Sequence, residues 1–313
     1  MSRSLSAFHV ALRCDLHAVG MQRFFIAGAL SPTNIRLLEA LRQLDLEVEL
    51  RPAREVLRRA RPGDVVLARL DVSPALDGIE PGMNELQQLD QLGVRVLNRP
   101  AALFSAHDKL TTALRLRQLQ LPHPRTSLVD VRPPRCLEPP VVVKPRFGSW
   151  GRDVFLCPDA TAMHRTLHRL RKRPWFRRQG ALVQALVPPI GEDLRVLVAG
   201  GRVVGAIKRR APRGEWRTNV AFGAQRLPVV PSPEARGLAL AATDAIGADF
   251  VGVDLLPGDQ GHTIIEINGC VDLTDDYSLD GTDVFAEIAE QLLTIADTTP
   301  VARRRWDAAL VTP

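Results

Sequence analysis

The chain has 313 residues, of which 45% are apolar and 24% are charged, and this composition excludes a largely disordered protein. No apolar stretch approaches the roughly 20 residues that a membrane-spanning helix needs, so we expect no membrane partner. The net charge of +6 favours anionic partners, and the four cysteines lack metal or redox spacing, which favours a reducing cytoplasm.

The first part of the chain alternates strand-like and helix-like segments. The opening residues make a poor signal peptide because Arg13 and Asp15 interrupt the apolar run, and the natural start is either Met1 or Met21. Strands are predicted at residues 24–30, 46–50, 64–70 and 94–98, and helices after Ser31-Pro32, at 53–60 and at 83–92. This order predicts a small parallel α/β domain over residues 22–100.

The middle of the chain, residues 101–178, is predicted to form a second unit. It contains a helix from Ser105 to about Leu121, a strand that ends at Lys144 after a proline-rich stretch (132–140), a strand at 154–156 and a helix from about Thr161. A glycine loop, residues 147–152, follows Lys144.

The most basic stretch is residues 164–178, which hold seven arginines and lysines. A solvated helix face is the simplest interpretation, and an acidic protein partner is an alternative. A nucleic-acid partner is not expected, because the stretch has one aromatic pair, Trp175-Phe176, and no recognition motif.

The last part of the chain, residues 179–295, mixes strands and helices, and residues 296–313 read as a polar tail. Strands are predicted at 181–187, 194–199, 202–208, 250–256 and 262–267, and helices at 233–246 and 283–295.

Lysine is scarce in this chain and occurs only at Lys109, Lys144, Lys172 and Lys208. Lys144 ends an apolar strand beside the glycine loop, and a compact ammonium group suits a phosphate as a point charge. Small residues in such a loop let backbone N–H groups approach phosphate oxygens. The pattern predicts a nucleotide site.

Two neighbouring strands carry oxygen-bearing side chains, Asp254 on the first and Glu266 and Asn268 on the second. Glu266 and Asn268 are two positions apart, so they point to the same face of the strand. The three side chains could form a hard, all-oxygen cluster suited to magnesium that bridges phosphates.

Taken in this order, the motifs resemble the ATP-grasp superfamily and, within it, the RimK family of carboxylate–amine ligases, over about residues 85–295. The resemblance is carried by VVVKP at 141–145, EDLRVLV at 192–198, AIKRR at 206–210 with WRTN at 216–219, and GVD at 252–254 with EIN at 266–268.

The resemblance implies an α/β fold in which the small N-terminal domain precedes two α+β subdomains that clasp ATP between them. It implies ATP-binding positions at Lys109, Lys144, Gly148, Ser149, Gly151, Ala185, Leu186, Asp193, Arg217, Thr218 and Asn219. It also implies that Asp254, Glu266 and Asn268 hold magnesium, for which manganese could substitute.

Further basic residues are candidates for the chemistry. Lys208, Arg209 and Arg217 are expected to stabilise the transferred phosphoryl group or the tetrahedral intermediate, and Arg195 is a candidate for gripping a substrate carboxylate. A solvated cation at a strand edge is the alternative for Lys208, Arg209 and Arg195.

The chain departs from the family pattern at two places. Ala185 stands where the adenine-reading hinge usually carries an acidic residue, and a carboxylate-rich loop, residues 269–280, follows Asn268. At a pocket mouth this loop could attract an amine or repel an acidic substrate, or it is only a capped loop before the last helix. The usual glutamate substrate is therefore left open.

Three functions remain as hypotheses. The first is a RimK-like ligase that joins an amino acid, such as glutamate, to a small-molecule, cofactor or peptide partner through an acylphosphate. The second is a ligase that acts with an acidic carrier protein, like relatives in lysine biosynthesis. The third is a basic RNA- or ribosome-binding protein with a vestigial nucleotide fold. We also expect a homo-oligomer, and we expect Asp254→Ala and Glu266→Ala to abolish ADP formation with little loss of fold.

Overall fold

The structure of the chain is a computed structural model, and it describes residues 22–130, 137–188, 190–259 and 261–298. Both candidate starts, most of the proline-rich stretch and the tail from residue 299 lie outside the described residues.

A four-stranded parallel sheet with three helices forms the N-terminal part of the fold. Its elements are β1 (Arg23–Gly28), α1 (Pro32–Arg42), β2 (Glu47–Arg51), α2 (Ala53–Arg59), β3 (Val65–Arg69), α3 (Met83–Gln91) and β4 (Arg95–Leu97). The strand order is β2-β1-β3-β4. Phe24 and Ile26 of β1 are buried in the core beside α1, while Phe25 and Ala27 are buried in the core beside α2 and α3.

Two helices meet at Asp108, so the single helix predicted from Ser105 is wrong. They are α4 (Pro100–His107) and α5 (Lys109–Gln118). Asp108 is fully buried, its backbone leaves the helical region, and its carboxylate accepts from Leu110 N and from two N–H groups of Arg146. This cap fixes Lys109 in the first turn of α5.

A four-stranded antiparallel sheet forms the middle of the fold. Its elements are β5 (Thr126–Val129), β6 (Val141–Pro145), β7 (Phe155–Cys157), α6 (Ala160–Leu170), α7 (Pro174–Gln179) and β8 (Ala181–Ala185). The strand order is β5-β8-β6-β7. The basic stretch forms two helices rather than one, because Pro174 starts α7, and its aromatic pair, Trp175 and Phe176, is buried in the core.

A five-stranded antiparallel sheet forms the C-terminal part. Its elements are β9 (Glu192–Ala199), β10 (Arg202–Arg210), a 3₁₀ turn (Val220–Phe222), β11 (Gln225–Pro228), α8 (Pro233–Ile246), β12 (Phe250–Leu256), β13 (Thr263–Asn268), a 3₁₀ turn (Asp275–Tyr277) and α9 (Val284–Asp297). The strand order is β11-β10-β9-β12-β13. Helix α8 packs on one face of this sheet, and α9 joins the other face to α1 of the N-terminal part.

One parallel and two antiparallel sheets with packed helices confirm the predicted α/β class. The boundaries between the units at residues 100 and 178 stay a prediction. Within the described ranges, no helix combines the length and the apolar character needed to cross a bilayer.

Candidate active site

One face of the C-terminal sheet carries a row of charged side chains. The register places Asp193 opposite Arg209, and it places Asp254 opposite both Arg195 on β9 and Glu266 on β13. Residues opposite each other in a ladder point to the same face. Strand pairing therefore brings the predicted metal ligands beside two of the predicted arginines.

Asp254 is the centre of a buried ion-pair network. Its carboxylate accepts from Arg195 Nε and Nη2 at 2.6 and 2.7 Å, and from Arg209 Nη2 at 2.8 Å. Arg209 also donates from Nε to Asp193 at 2.7 Å. Burial alone would raise the pKa of the Asp254 carboxyl, but the two guanidinium groups outweigh it and hold this pKa well below its usual range. Asp254 is therefore a carboxylate.

Glu266 and Asn268 extend the same face toward Lys109. Lys109 Nζ lies 3.5 Å from Glu266 Oε2. With the Asn268 amide oriented to satisfy its neighbours, its nitrogen donates to Glu266 Oε1 at 3.2 Å and its oxygen accepts from Arg195 Nη2 at 3.3 Å. The hydrogen bonds hold Glu266 and Asn268 side by side.

The oxygen chemistry of Asp254, Glu266 and Asn268 fits a hard cation such as magnesium or manganese. Asp254 would have to share its carboxylate with the arginines. Among the described residues, no three His, Cys, Asp or Glu side chains already converge as a metal site. The predicted ligands Asp254, Glu266 and Asn268 are not such a group, because they comprise two carboxylates and one amide.

Lys144 and Lys109 reach the site from the side of the middle sheet. Lys144, on β6, is only 6% exposed. Its burial lowers the pKa of the ammonium group to about 8, and Lys109 adds to this effect while Glu266 opposes it. Lys109 Nζ donates to the carbonyl of Gly148 at 2.6 Å. Lys109 thus links the glycine loop to the Glu266 side of the site.

The glycine loop is held against the C-terminal sheet at Gly151. This residue has a φ of +68°, and a Cβ added there would lie 2.4 Å from Asn219 Oδ1. Only glycine fits this conformation and this approach without strain. The neighbouring Trp150 also has a positive φ, of +59°, and stays 44% exposed.

A cavity of about 920 Å³, open to solvent, lies between the middle and C-terminal sheets. Of the predicted site residues, it is lined by Lys109, Lys144, Gly148, Ser149, Gly151, Ala185, Leu186, Asp193, Arg209, Arg217, Thr218, Asn219, Asp254 and Glu266.

The backbone at the predicted hinge is partly engaged within the protein. Ala185 N donates to Arg125 O at 2.9 Å, and Leu186 N donates to Pro140 O at 3.2 Å. The amide of Val187, which also lines the cavity, donates to no acceptor within the described part of the chain. Val187 is therefore a better candidate than Leu186 for donating to an adenine ring.

The segment before the first 3₁₀ turn is also held by its own contacts. Arg217 Nη2 donates to Glu215 Oε2 at 2.7 Å, and its guanidinium lies 3.6 Å from the centre of the Phe222 ring. Thr218 Oγ1 donates to Asp193 Oδ2. These contacts tie Arg217 and Thr218 to the cavity wall.

Lys208 is not brought to the cavity. In the ladder Lys208 lies opposite Leu194, whose side chain faces α8, so both side chains are on the face of the sheet that carries α8. On that face Lys208 Nζ lies 3.5 Å from Glu192 Oε2. Arg209 is the next residue and therefore points to the opposite face, into the site. The structure separates two residues that are adjacent in the sequence.

A second cavity, of about 620 Å³, adjoins the first and shares Ser149, Trp150, Arg209, Asn219 and Glu266 with it. Arg195 and Asn268 line this second cavity. So do Cys270, Val271, Asp272 and Tyr277 of the carboxylate-rich loop, residues 269–280, and three residues that the sequence reasoning did not single out, namely Asp71, Val220 and Arg226.

Strand periodicity could have found part of the apolar wall of the first cavity. Val142 is two positions before Lys144 on β6, and Leu256 is two positions after Asp254 on β12. Residues two apart on a strand share a face. By contrast, no local signal connects Asp71 to the site.

The sequence profile of the RimK-like ATP-grasp domain matches residues 106–292. A probable alpha-L-glutamate ligase from Thioalkalivibrio sulfidiphilus is 32% identical over 232 residues, which cover 72% of this chain and 74% of that protein. The alpha-aminoadipate–LysW ligase LysX from Saccharolobus solfataricus is 30% identical over 187 residues, which cover 58% of this chain and 68% of that protein.

Solved structures share the fold. The crystal structure of D-alanine–D-alanine ligase from Bacillus anthracis complexed with ATP matches with a TM-score of 0.65 and 17% sequence identity, over 88% of this chain and 98% of that chain.

Proposed function

Since the chain belongs to the RimK-like ATP-grasp family and is an ATP-dependent carbon–nitrogen ligase, we propose that it joins a carboxylate to an amine through an acylphosphate. In the first step a substrate carboxylate oxygen attacks the γ-phosphorus of ATP, and ADP leaves. In the second step the amine attacks the acyl carbon, phosphate leaves, and the nitrogen gives up a proton.

One observation carries this proposal: a single cavity is lined by two lysines from one side and by the Asp254 and Glu266 carboxylates from the other. Phosphoryl transfer depends mainly on positioning and on neutralising charge. Lys109 and Lys144 supply positive charge for phosphate oxygens, and Arg209 faces the same space. Magnesium held by Asp254, Glu266 and Asn268 would neutralise further phosphate charge.

The adenine end of the proposed site is the strand end at residues 184–187. Its wall is apolar, with Val142, Leu256 and Ile265 among the lining residues, which suits an aromatic base. The Val187 amide is available as a donor there. Arg195, in the second cavity, fits the carboxylate-gripping role, although Asp254 already engages it.

The substrates are proposed to be an amino acid, such as glutamate, and a small-molecule or peptide carboxylate. The test is a screen for ADP release by the purified protein with magnesium and ATP, in which amino acids are paired with candidate carboxylates. Mass spectrometry should detect an amide product that has lost one water. Absence of both amine-dependent ADP release and product in every pairing would overturn the ligase chemistry proposed here.

A second candidate substrate is an acidic carrier protein. The basic residues 164–178 of α6 and α7 are exposed, and a relative at 30% identity carries a name that describes ligation to LysW. The hypothesis of an RNA- or ribosome-binding protein rested only on the basic charge of the chain, and no further observation supports it. A homo-oligomer, which light scattering can measure, and a cytoplasmic location stay predictions.

A further inference from the structure

The second cavity contains one acidic side chain that forms no ion pair with a lysine or arginine of the described residues. Asp71 follows β3 of the N-terminal sheet and lines this cavity. Its Oδ1 accepts from Val72 N at 2.6 Å, and its own N–H donates to Glu80. Burial raises the pKa of the Asp71 carboxyl and the nearby charges of Arg69 and Lys109 oppose this effect, but within the described ranges no lysine or arginine forms an ion pair with it. Its other carboxylate oxygen is left to accept from a ligand.

Four other charged groups of the cavity, Arg195, Arg209, Glu266 and Asp272, face opposite charges. Arg195 and Arg209 bind Asp254, and Glu266 faces Lys109 at 3.5 Å. Asp272 accepts from Thr33 Oγ1 at 2.6 Å and lies 3.6 Å from Arg226 Nη2. Asp71 is therefore distinct among the acidic groups of this wall.

One basic side chain of the same cavity is only partly satisfied. Among the described residues, Arg226 contacts one carboxylate, that of Asp272 at 3.6 Å, and its buried Nε has no hydrogen-bond partner. A guanidinium has five N–H donors, so a ligand carboxylate could still bind to Arg226. The cavity thus offers one carboxyl group that has no ion-pair partner among the described residues and one incompletely paired cation.

We propose that the second cavity binds the α-amino acid substrate, with Asp71 accepting from its ammonium group and Arg226 donating to its carboxylate. The proposal rests on the proposed function, because the cavity shares Arg209 and Glu266 with the nucleotide cavity and so presents the amino acid beside the reacting phosphate. Asp71 belongs to the N-terminal part of the chain, which makes that part a determinant of amine specificity. Neither residue lies in a stretch that carries the family resemblance.

The test measures binding rather than turnover. The wild-type protein, saturated with magnesium and a non-hydrolysable ATP analogue, is titrated calorimetrically with the common L-amino acids. The tightest binder is then compared with its analogue lacking the ammonium group and its analogue lacking the α-carboxylate. For glutamate these analogues are glutarate and 4-aminobutyrate. Both analogues should bind at least tenfold more weakly than the amino acid.

Two variants separate recognition from a structural role. Asp71→Asn should weaken the amino acid at least tenfold and leave the analogue without ammonium unchanged, so that the two bind alike. Arg226→Gln should also weaken the amino acid at least tenfold, and it should leave the binding of the analogue without the α-carboxylate unchanged. Asp275→Asn, which removes an exposed carboxylate paired with Arg36 outside the cavity, should change nothing. ATP-analogue affinity should be unchanged in all three variants.

The outcomes are distinct from those of the ligase test. Equal weakening of the amino acid and of both analogues in Asp71→Asn, or no binding of any amino acid to the wild type, would overturn this assignment. If Asp71→Asn weakened only the amino acid and the protein released no ADP in the ligase test, the binding site would be supported and the proposed reaction would be wrong.

Discussion

Asp254 accepts both a Nε–H and a Nη2–H bond from Arg195, at 2.6 and 2.7 Å, and the exposed fraction is 4% for the Asp254 side chain and 13% for that of Arg195. The sequence alone predicts little loss of fold for Asp254→Ala, and this ion pair changes that expectation. Removing one partner of a buried ion pair leaves the other charge uncompensated, which costs about 3–5 kcal/mol. Here Arg195 would lose its carboxylate partner, and Arg209 would keep only its ion pair with Asp193.

We therefore expect Asp254→Ala to abolish ADP formation and also to lower the free energy of unfolding by several kcal/mol, measured by urea denaturation. Glu266→Ala should abolish ADP formation with a smaller loss of stability, because Glu266 is more exposed and its one cation lies 3.5 Å away. Equal stability of the two variants would contradict the structural role given to Asp254.

The low pKa of Lys144 predicts a pH dependence of nucleotide binding. Burial lowers this pKa to about 8, so the ammonium group is lost from the free protein as pH rises through that value. Binding of an anion requires the charged form, so the affinity for magnesium–ATP should fall above pH 8 by up to about tenfold per pH unit. Below pH 7 the Lys144 ammonium group is charged, so its titration should cause no further change in the affinity.

Titration calorimetry between pH 6.5 and 9.5 measures this directly. Lys144→Arg is the matched variant: its guanidinium remains charged over the whole range, so the pH dependence should vanish. The affinity itself should be lower at every pH, because a planar fork replaces a point charge. A flat profile in the wild-type protein would mean that Lys144 does not bind phosphate.

Gly151 is expected to control closure of the glycine loop. Gly151→Ala would place a Cβ 2.4 Å from Asn219 Oδ1 in a left-handed backbone conformation, so the loop must move away. The KM for ATP should rise at least tenfold. Gly214→Ala is the control, because Gly214 also has a positive φ, of +86°, but an added Cβ meets nothing within 4 Å. If both variants raise KM equally, the clash with Asn219 is irrelevant.

The basic residues of α6 and α7 offer a test of the carrier hypothesis. Arg165 lies in α6 and Arg171 directly follows that helix; both are exposed, and neither forms an ion pair within the described ranges. Reversing both charges to glutamate should raise the KM for an acidic carrier protein several-fold and leave the KM for a free amino acid unchanged. The effect should shrink as ionic strength rises, since salt screens exposed charges. An unchanged KM for the carrier would exclude this face as its docking surface.

Short-range patterns in the sequence were enough to find much of the site. The period of two along a strand relates Glu266 to Asn268, and Lys144 to the apolar wall at Val142. The glycine loop and the cap at Ser31 were also visible, since glycine and capping residues act locally. The family resemblance then related stretches that are far apart in the chain.

Other features depend on tertiary contacts and could not be read from the sequence. The pairing of Arg195 with Asp254 depends on the register between β9 and β12, and the place of Asp71 depends on how the N-terminal sheet packs. The break at Asp108 also has a tertiary cause, because the donors of Arg146 satisfy its buried carboxylate. Helical periodicity continues across that position and predicted one helix.

The neighbours Lys208 and Arg209 give the sharpest test of the sheet geometry. They lie on opposite faces of β10, with Arg209 in the buried network beside the cavity and Lys208 on the far face beside Glu192. Lys208→Met should leave kcat and the KM for ATP within about twofold of wild type, since an exposed ion pair contributes little.

Arg209→Met should instead abolish ADP formation and destabilise the fold, because Asp193 and Asp254 lose a shared buried partner. Steady-state kinetics and urea denaturation of the two variants provide the comparison. Loss of activity in Lys208→Met at wild-type stability would contradict the assignment of the two faces of β10. It would instead support the expectation that Lys208 takes part in catalysis.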